Sequence, residues 1–541
     1  MMIQNHFESI FCEWNDIPEQ FRIAASVEQR DYLINGELRS LDGATQDVFS
    51  PVCIKSADGV KRHRLGSFPL MTEAEALSVL EAAVAAYDNG RGAWPTMAVS
   101  ERIRHVQAFA YQMKARREEV VCLLMWEIGK TLKDAEKEFD RTTAYIEDTV
   151  DALKDLDRIS SRFHIVEGII GQIRRAPLGV TLCMGPYNYP LNECLTTLIP
   201  ALIMGNTTVL KPPRHGVLLF SPLLEAFRDA FPPGVVNTLY GMGRTVVPPL
   251  MRSGKIDALA FIGSSKAANS LQKEHPKPHR LRLVLGLEAK NPAIVLPDAD
   301  LELAVAECVV GSLSFNGQRC TALKILFVHA SIAEEFVERL SCALATLGIG
   351  LPWEPGVTMT PLPDQEKPGY LTELIEDAKT FGANVRNADG GRVNQSFFYP
   401  ALLYPVNDRM RVYYEEQFGP VIPVVPFNTI ETPISYIEES IYGQQVSIFG
   451  RDPQTIANLI DPLVNQVSRI NLNSQCQRGP DVFPFTGRKD SAVGTLSVSD
   501  ALRAFSIRAI VAAKESDLNK QIISDITREH RSNFLSTDFI L

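Results

Sequence analysis

A chain of 541 residues is too long for one ordinary hydrophobic core, so we expect two or more domains. The composition, 45% hydrophobic and 22% charged, is typical of a soluble globular protein. The net charge of −10 argues against a nucleic-acid-binding protein, because phosphate binding needs a basic surface.

The cysteines and the apolar runs bear on the cellular compartment. Nine cysteines form no Cys-x-x-Cys pair and show no disulfide-like spacing, which favours a reducing environment. The first residues do not form a signal peptide, and no run approaches the roughly 18 apolar residues of a membrane span. We therefore expect a cytoplasmic protein with no membrane or nucleic-acid partner, and we predict no metal site.

The first third of the chain divides into an arm and a helical region. Residues 1–70 contain turn signals and predict an N-terminal arm with short strands. From residue 72 to 154 helical periodicity dominates, and segment 131–153 places apolar residues at three- and four-residue spacing on one stripe. Arg141 lies off that stripe, about 200° round the helix from Phe139.

The middle of the chain alternates short apolar strands with helical segments. Strands are predicted at 207–210, 235–239, 258–262 and 281–287, a spacing that implies a parallel sheet with crossover helices. A second alternating region from 292 to about 474 indicates a second α/β domain. Residues 496–511 predict a strand, and the last 25 or so residues predict a solvated tail.

The stretch 314–321, Ser-Phe-Asn-Gly-Gln-Arg-Cys-Thr, has the features of a loop that carries a thiol nucleophile. A thiol attacks as the thiolate, and both Arg319 and a helix predicted after the cysteine would lower the pKa of Cys320. The alternative is a buried structural cysteine, since free cysteine is among the most buried residue types.

Phosphate-binding signals are partial. A clean Gly-x-Gly-x-x-Gly is absent, but Gly241-Met242-Gly243 follows one strand and Gly263-Ser264-Ser265 joins another strand to a helix. Backbone N–H groups and the Ser264 hydroxyl at that helix N-terminus can bind a pyrophosphate. The same residues also fit an ordinary turn.

These motifs resemble the aldehyde dehydrogenase superfamily. Asn-Gly-Gln-x-Cys is similar to its nucleophile motif, and Gly-Gln-Arg-Cys-Thr-Ala resembles the branch of non-phosphorylating, NADP-dependent glyceraldehyde-3-phosphate dehydrogenases. The resemblance implies an α/β fold with a Rossmann-type cofactor domain, an α/β catalytic domain and a small β oligomerisation element. The implied parts are an arm (1–70), the cofactor domain (71–158 and 177–287), the catalytic domain (288–480), the oligomerisation element (159–176 and 496–511) and a tail (515–541).

The resemblance also assigns the cofactor site. The lysine that matches Lys211 contacts the adenosine ribose and its 2′ substituent in the family, and Arg214 stands where NAD-preferring members tend to carry an acid. Two cations at that corner favour NADP, unless Arg214 is only a loop arginine in solvent. The other matching cofactor residues are Gly241, Gly263, Ser264, Glu416 and Phe418, with Ala268 in place of a family glycine.

The catalytic assignments include one departure from the family. Met-Gly-Pro-Tyr-Asn-Tyr-Pro at 184–190 resembles the motif whose asparagine, here Asn188, donates to the oxyanion with the Cys320 N–H. Gly286 stands at the position of the family's glutamate base, and the carboxylate nearest in sequence is Glu288, two residues on. Strand periodicity places 286 and 288 on one face, so Glu288 is either a displaced base or a surface carboxylate.

The substrate is predicted from four residues that match the phosphate-holding set of the branch: Arg141, Tyr189, Arg319 and Arg478. Three guanidiniums and a phenol suit a phosphate dianion. The leading hypothesis is NADP-dependent oxidation of D-glyceraldehyde 3-phosphate to 3-phosphoglycerate by a homodimer or homotetramer. The alternatives are oxidation of another anionic aldehyde such as a semialdehyde, and a catalytically inactive binding paralogue, suggested by Gly286.

Overall fold

The computed structural model describes residues 7–23 and 25–539. Residues 1–6 and 24 of the predicted arm and residues 540–541 of the predicted tail lie outside this part. Two parallel sheets flanked by helices form the body of the molecule, and a third, antiparallel sheet stands beside them. The predicted α/β fold is confirmed. Within the described residues no helix is both long and apolar enough to cross a membrane.

The arm contains more strand than the turn signals alone indicate. A twelve-residue strand, Thr45–Ser56, pairs antiparallel with Gly59–Pro69. Asn35 and Gly36, both with positive φ, turn strand Asp31–Ile34 back onto Glu37–Ser40.

A helical layer follows the arm. Its first helix, Glu73–Tyr87, starts at a capping box in which the Glu75 N–H donates to the Thr72 hydroxyl and the Thr72 N–H to the Glu75 carboxylate. Its longest helix is Leu132–Ser160, and the predicted apolar stripe is buried there. The helices of the layer are Glu73–Tyr87, Ala93–Thr96, Val99–Ala115, Arg117–Ile128 and Leu132–Ser160.

The first large sheet has six strands, of which five are parallel. Its spatial order is Val236–Thr238, Thr207–Lys211, Val180–Met184, Ala258–Ile262, Arg282–Gly286 and the antiparallel Ala492–Val493. In chain order the five parallel strands stand third, second, first, fourth and fifth, the order of a dinucleotide-binding fold, and all four strands predicted at 207–287 are confirmed within two residues. The order reverses between Val180–Met184 and Ala258–Ile262, and ligands bind at the carboxyl ends of strands at such a reversal. The helices of this part are Pro190–Ile203, Leu224–Ala230, Gly243–Arg252 and Ser265–Glu274.

The second large sheet has seven strands. Its spatial order is Asn384–Val385, Ala401–Tyr404, Val421–Phe427, Leu323–His329, Asn291–Val295, Gln445–Phe449 and Arg469–Leu472, all parallel except the first. The helices of this part are Leu301–Leu313, Ala333–Leu344, Lys367–Thr380, Arg411–Tyr414, Glu431–Glu439 and Pro453–Leu463.

The two sheets meet through one short connection. Strand Arg282–Gly286 ends the first sheet, and after four residues strand Asn291–Val295 begins the second. The carboxyl edge of the first sheet therefore faces the amino edge of the second. Residues 287–290 lie in the gap, so the strand face predicted to carry both 286 and 288 ends at Gly286.

The third sheet is formed by Phe163–Val166, Ile169–Pro177 and Ser506–Lys514. Ser506–Lys514 pairs antiparallel with Ile169–Pro177 over nine residue pairs of the same chain. The prediction of strand throughout 496–511 is wrong in its first half, because Val498–Ala504 is a helix.

The C-terminal segment is ordered. Helix Asp517–Arg528 has no buried residue, in keeping with the predicted solvated tail. The chain then docks on the third sheet, where the Gln172 amide donates to the Ser536 carbonyl and Leu535 is buried. The prediction of a solvated tail is therefore wrong for this docked end.

Candidate active site

One cavity of about 970 Å³ lies between the facing edges of the two large sheets. Its walls come from the ends of strands and from loops of both parts of the chain. Cys320, Asn188 and Glu288 line it, as do two further groups of predicted residues. The lining cofactor-side residues are Gly263, Ser264, Glu416 and Phe418, and the lining substrate-side residues are Arg141, Tyr189, Arg319 and Arg478.

The loop before Cys320 has an unusual backbone. Phe315, Asn316 and Gly317 have φ values of 49°, 55° and 71°. A Cβ on Gly317 would lie 2.7 Å from the Ser312 carbonyl oxygen, so only glycine fits there. The buried Asn316 side chain exchanges two hydrogen bonds with Thr360, of 3.0 and 3.1 Å, and these hold the strained turn in place.

The environment of Cys320 differs from the prediction in two respects. The chain continues into strand Leu323–His329, so the helix predicted after the cysteine is a strand. Burial, and secondly the charge of Glu193, raise the pKa of Cys320, against the lowering effects of Lys324, a Gln444 hydrogen bond and Arg478. The predicted lowering of this pKa by Arg319 and a helix is therefore wrong in the free protein.

Two side chains that sequence reasoning missed hold the backbone of Cys320. The Asn291 amide and the Lys324 ammonium each donate to the Cys320 carbonyl at 2.8 Å. Both lie on strands of the second sheet, whose amino ends converge below the thiol. The spacing of four between Cys320 and Lys324 was visible in the sequence, but it does not by itself indicate this contact.

Asn188 lies beside the nucleophile loop. Its side-chain amide donates to the Gln318 carbonyl at 2.8 Å, and the Tyr187 hydroxyl donates to the Gln318 side chain at 3.2 Å. These bonds hold the predicted oxyanion donor, Asn188, against the loop at Gln318, two residues before Cys320.

Glu288 occupies the gap between the sheets and faces the first one. Its carboxylate accepts the Ser265 N–H at 2.8 Å, at the start of helix Ser265–Glu274. The Ser264 hydroxyl caps the same helix by accepting the Ala267 N–H at 3.3 Å. The predicted strand-turn-helix is confirmed, and its N-terminus is bonded to a carboxylate of the protein's own chain.

A second carboxylate, Glu193, lies on the substrate side of Cys320. It belongs to the first turn of helix Pro190–Ile203, is buried, and forms an ion pair with Arg478. No motif pointed to it. Its position, three residues after Pro190 at the start of that helix, is the sequence signal that it would face the same cavity.

Two of the predicted phosphate-binding arginines already have carboxylate partners. Arg141 binds Asp481 through two hydrogen bonds of 2.7 and 2.9 Å. Arg478 binds Glu193 and also Asp481, the latter at 3.2 Å. Burial alone would raise the pKa of Asp481, but the hydrogen bond from Arg141 and the charge of Arg478 bring it below its usual value. The two guanidiniums and two carboxylates therefore cancel in charge.

Arg319 and Tyr189 complete the substrate side. The Arg319 guanidinium donates to the Gly311 carbonyl at 3.0 Å and to the Gln475 side chain at 3.3 Å, and no carboxylate of the described chain pairs with it. Within the described residues, Nε of Arg319 and Nη2 of Arg478 are buried donors without an acceptor. Arg319 is therefore a cavity-lining cation without an acidic partner among the described residues.

The predicted cofactor corner lies outside the cavity walls, at the carboxyl end of strand Thr207–Lys211. Lys211 is buried, and the Pro212 carbonyl at 3.1 Å is the acceptor of its ammonium group. Burial lowers the pKa of Lys211 to about 8. Arg214 is exposed and has no side-chain hydrogen bond or ion pair to the described residues. Gly241, at φ 116°, turns the chain toward helix Gly243–Arg252, next to Lys211.

Glu416 and Phe418, the other predicted cofactor residues, line the cavity itself. The Glu416 carboxylate accepts the Ala289 N–H at 3.0 Å and pairs with Lys324 at 2.7 Å. Phe418 has a φ of 44°, and its ring meets the Tyr187 ring edge to face at 6.0 Å. Glu416 therefore fixes the connection between the sheets as well as lining the cavity.

Comparisons with known proteins bear on these assignments. The model of the aldehyde dehydrogenase family matches residues 50–511. The NADP-dependent glyceraldehyde-3-phosphate dehydrogenase of Streptococcus equinus is 32% identical over 462 residues, covering 84% of this chain and 92% of that protein. The protein of the same name from Triticum aestivum is 30% identical over 481 residues, covering 87% and 92%. The crystal structure of the Bacillus halodurans C-125 enzyme complexed with NADP has a TM-score of 0.82 and 31% identity, covering 90% of this chain and all of that one.

Proposed function

Because the chain belongs to the aldehyde dehydrogenase family, we propose that it oxidises D-glyceraldehyde 3-phosphate to 3-phosphoglycerate with NADP. The substrate is inferred mainly from the guanidinium of Arg319, which lines one end of the cavity with Arg141, Tyr189 and Arg478 and has no acidic partner among the described residues. Charge-assisted bonds from such a guanidinium hold a phosphate.

The chain's own residues supply the covalent chemistry. The Cys320 thiolate forms a bond to the aldehyde carbon, and the Asn188 amide, with the Cys320 N–H, donates to the oxygen that becomes negative. NADP, when bound, supplies the hydride acceptor. A water activated by a carboxylate then hydrolyses the thioester, releasing the acid and restoring the thiol.

The residues at the cofactor corner fit NADP. A buried ammonium whose pKa is lowered by burial lacks a compensating charge, and among the described residues Lys211 donates only to the Pro212 carbonyl. A 2′-phosphate would stabilise the charged form of Lys211, and Arg214 is free to add a second contact. Glu416 and Phe418 would hold the nicotinamide end.

Glu288 is the proposed base for thioester hydrolysis. It lines the cavity with Cys320. It stands in the gap between the sheets, two residues after Gly286, which replaces the family's glutamate. Its bond to the Ser265 N–H means that the carboxylate must leave the helix N-terminus to reach a water beside the thioester. A phosphate group of the cofactor at that N-terminus would favour this movement.

A second candidate substrate is a semialdehyde with a carboxylate group. Glu193 and Asp481 neutralise Arg478 and Arg141, so the net positive charge of this end is smaller than three guanidiniums alone would give. A monoanion needs less positive charge than a phosphate dianion.

We also propose a cytoplasmic homodimer or homotetramer. All nine cysteines are free thiols, which supports a reducing compartment. Ile165, Val166, Ile507 and Ile510 on the third sheet are more than half exposed, and apolar sheet surfaces of this kind favour pairing between subunits.

The proposal is tested by incubating the protein with NADP and D-glyceraldehyde 3-phosphate in the absence of inorganic phosphate. We expect NADPH by absorbance and 3-phosphoglycerate by mass spectrometry. Cys320→Ser is expected to abolish turnover and leave NADP binding unchanged, because only the attacking atom is lost. Near-normal turnover in Cys320→Ser would overturn the proposed chemistry.

A further inference from the structure

A buried ion pair lies beneath the active-site loops and belongs to no motif discussed above. Lys130 and Glu138 have side chains that are 0% exposed, and their charged groups are in hydrogen-bond contact. Both come from the helical layer, one just before and one within helix Leu132–Ser160. Breaking a buried pair leaves an uncompensated charge, so the two side chains hold one another in place.

Glu138 reaches the oxyanion loop. Its second carboxylate oxygen accepts the backbone N–H groups of Leu191 and Asn192, at 3.0 and 3.1 Å. These are early N–H groups of helix Pro190–Ile203, which have no partner inside the helix. The carboxylate therefore fixes the start of the helix that immediately follows Asn188 and Tyr189.

Lys130 reaches both active-site loops. Its ammonium nitrogen lies 3.4 Å from the centroid of the Tyr189 ring and 4.8 Å from that of the Phe315 ring. The two rings meet edge to face at 6.1 Å. The cation attracts the negative face of each ring, and burial strengthens the attraction. Phe315 opens the strained turn that leads to Cys320.

We propose that Lys130 and Glu138 are positioning residues that set the oxyanion donor against the nucleophile. Glu138 holds the helix behind Asn188, and Lys130 joins Tyr189 on that loop to Phe315 on the loop of Cys320. The proposal rests on the proposed aldehyde oxidation, since it concerns the geometry of thiol attack. Neither residue touches the reacting atoms.

A purely structural ion pair would have a different signature. Removing one charge of such a pair would lower the stability of the protein and slow the reaction. Removing both charges together would restore the rate. A positioning role requires the ammonium over the rings, so a neutral pair of similar shape restores stability but leaves the attack slow. The double variant Lys130→Met with Glu138→Gln separates these two cases.

The experiment measures the single-turnover burst of NADPH, the NADP dissociation constant by fluorescence and the midpoint of thermal unfolding. In the Lys130→Met, Glu138→Gln variant we expect a burst slower by about 10- to 100-fold, because misplacement of an oxyanion donor costs a factor of that order. The NADP dissociation constant should stay within twofold and the midpoint near that of the wild type. A burst within twofold of the wild-type rate in this variant would overturn the proposal.

A matched control is another buried pair, Arg174 with Asp157, which lies at the third sheet. Arg174→Met with Asp157→Asn should leave the burst rate unchanged. An equal slowing there would show a general effect of removing buried charge and would overturn the proposal. A wild-type protein that forms no NADPH with the aldehyde would instead refute the proposed function.

Tyr189 gives a second test should the double variant fail to fold. With unphosphorylated glyceraldehyde as substrate, Tyr189→Phe keeps the ring over Lys130 and is the reference for the burst rate. Tyr189→Leu removes the ring and should slow the burst by about 10- to 100-fold. Equal burst rates in the two variants would overturn the proposal.

Discussion

The cofactor corner and the aldehyde end of the site use cations in different ways. At the cofactor corner, Lys211 and Arg214 have no carboxylate partner in the described chain. At the aldehyde end, Arg141 and Arg478 are held by Asp481 and Glu193. The cofactor corner therefore keeps its positive charge for a ligand. At the aldehyde end, carboxylates of the protein neutralise most of the positive charge.

This difference shows that a sequence motif locates a cation but does not give the net charge around a bound ligand. An arginine held between carboxylates is rigid, and its remaining donors have fixed directions. An unpaired lysine or arginine attracts an anion more strongly but directs it less. We therefore expect the cofactor corner to govern affinity and the aldehyde end to govern orientation.

The largest expected effect concerns Glu288, which stands between the two ends. In Glu288→Gln a rapid burst of NADPH should precede stalled turnover, because attack and hydride transfer do not need the base. The steady rate should fall by about 10²–10⁴-fold, concentrated in thioester hydrolysis. Stopped-flow absorbance separates the two phases.

Glu193→Gln is the matched control, because it removes a different carboxylate of the cavity near Cys320. Steady turnover should not stall after the first NADPH there. Placing Glu at position 286 in the Glu288→Gln protein should recover part of the rate. Full turnover in Glu288→Gln, with a burst in Glu193→Gln instead, would transfer the role of base to Glu193.

The next effect tests the cofactor corner. Arg214→Glu should shift preference toward NAD, because a carboxylate there repels the 2′-phosphate. Loss of one charge-assisted contact costs about 1.5–3 kcal/mol, or roughly ten- to a hundredfold in affinity. The ratio of kcat/KM for NADP to that for NAD measures it, and an unchanged ratio would show that Arg214 points away from the cofactor.

The same corner predicts a pH dependence. Lys211, whose pKa burial lowers to about 8, is charged below that pH and neutral above it in the free protein. The dissociation constant of NADP should therefore rise above pH 8, by up to about tenfold per pH unit for one proton. Titrations from pH 6.5 to 9.5 should show a flatter curve for Lys211→Met, and a flat wild-type curve would contradict the assignment.

The smallest effect tests the aldehyde end. Removing one negative charge beside Arg478 in Glu193→Gln should lower KM for a phosphorylated aldehyde by a few-fold, equivalent to about 0.5–1 kcal/mol. Arg478 keeps its bond to Asp481, so its direction is retained. A raised KM would mean that Glu193 serves to hold Arg478 in position.

Much of the architecture followed from local patterns. The strands predicted at 207–287 and the helix that contains 131–153 depend on periodicity within a few residues, and periodicity reports which face is buried. The helix Val498–Ala504 was missed because its short apolar run also fits a strand. The docked C-terminal end was missed because Gln172, which donates to the Ser536 carbonyl, lies far away in the chain.

The residues of the site also fall into two groups, those that motifs indicated and those that only the fold brings together. Cys320, Asn188 and the four substrate-side residues, which motifs indicated, line one cavity. Asp481 lies 340 residues from Arg141, and Glu193 lies 285 residues from Arg478, so no local pattern could indicate these two pairs. The raised pKa of Cys320 has the same origin, since burial of the thiol is a property of the folded cavity.

The most direct test of the central claim is the ratio of kcat/KM, with NADP, for D-glyceraldehyde 3-phosphate to that for D-glyceraldehyde. The two substrates differ only in the phosphate, which we place on Arg319 and Arg478. Two charge-assisted contacts of about 1.5–3 kcal/mol each predict a ratio of roughly 10²–10⁴. A ratio near one, or a higher kcat/KM for a carboxylate semialdehyde than for the phosphorylated aldehyde, would contradict the account.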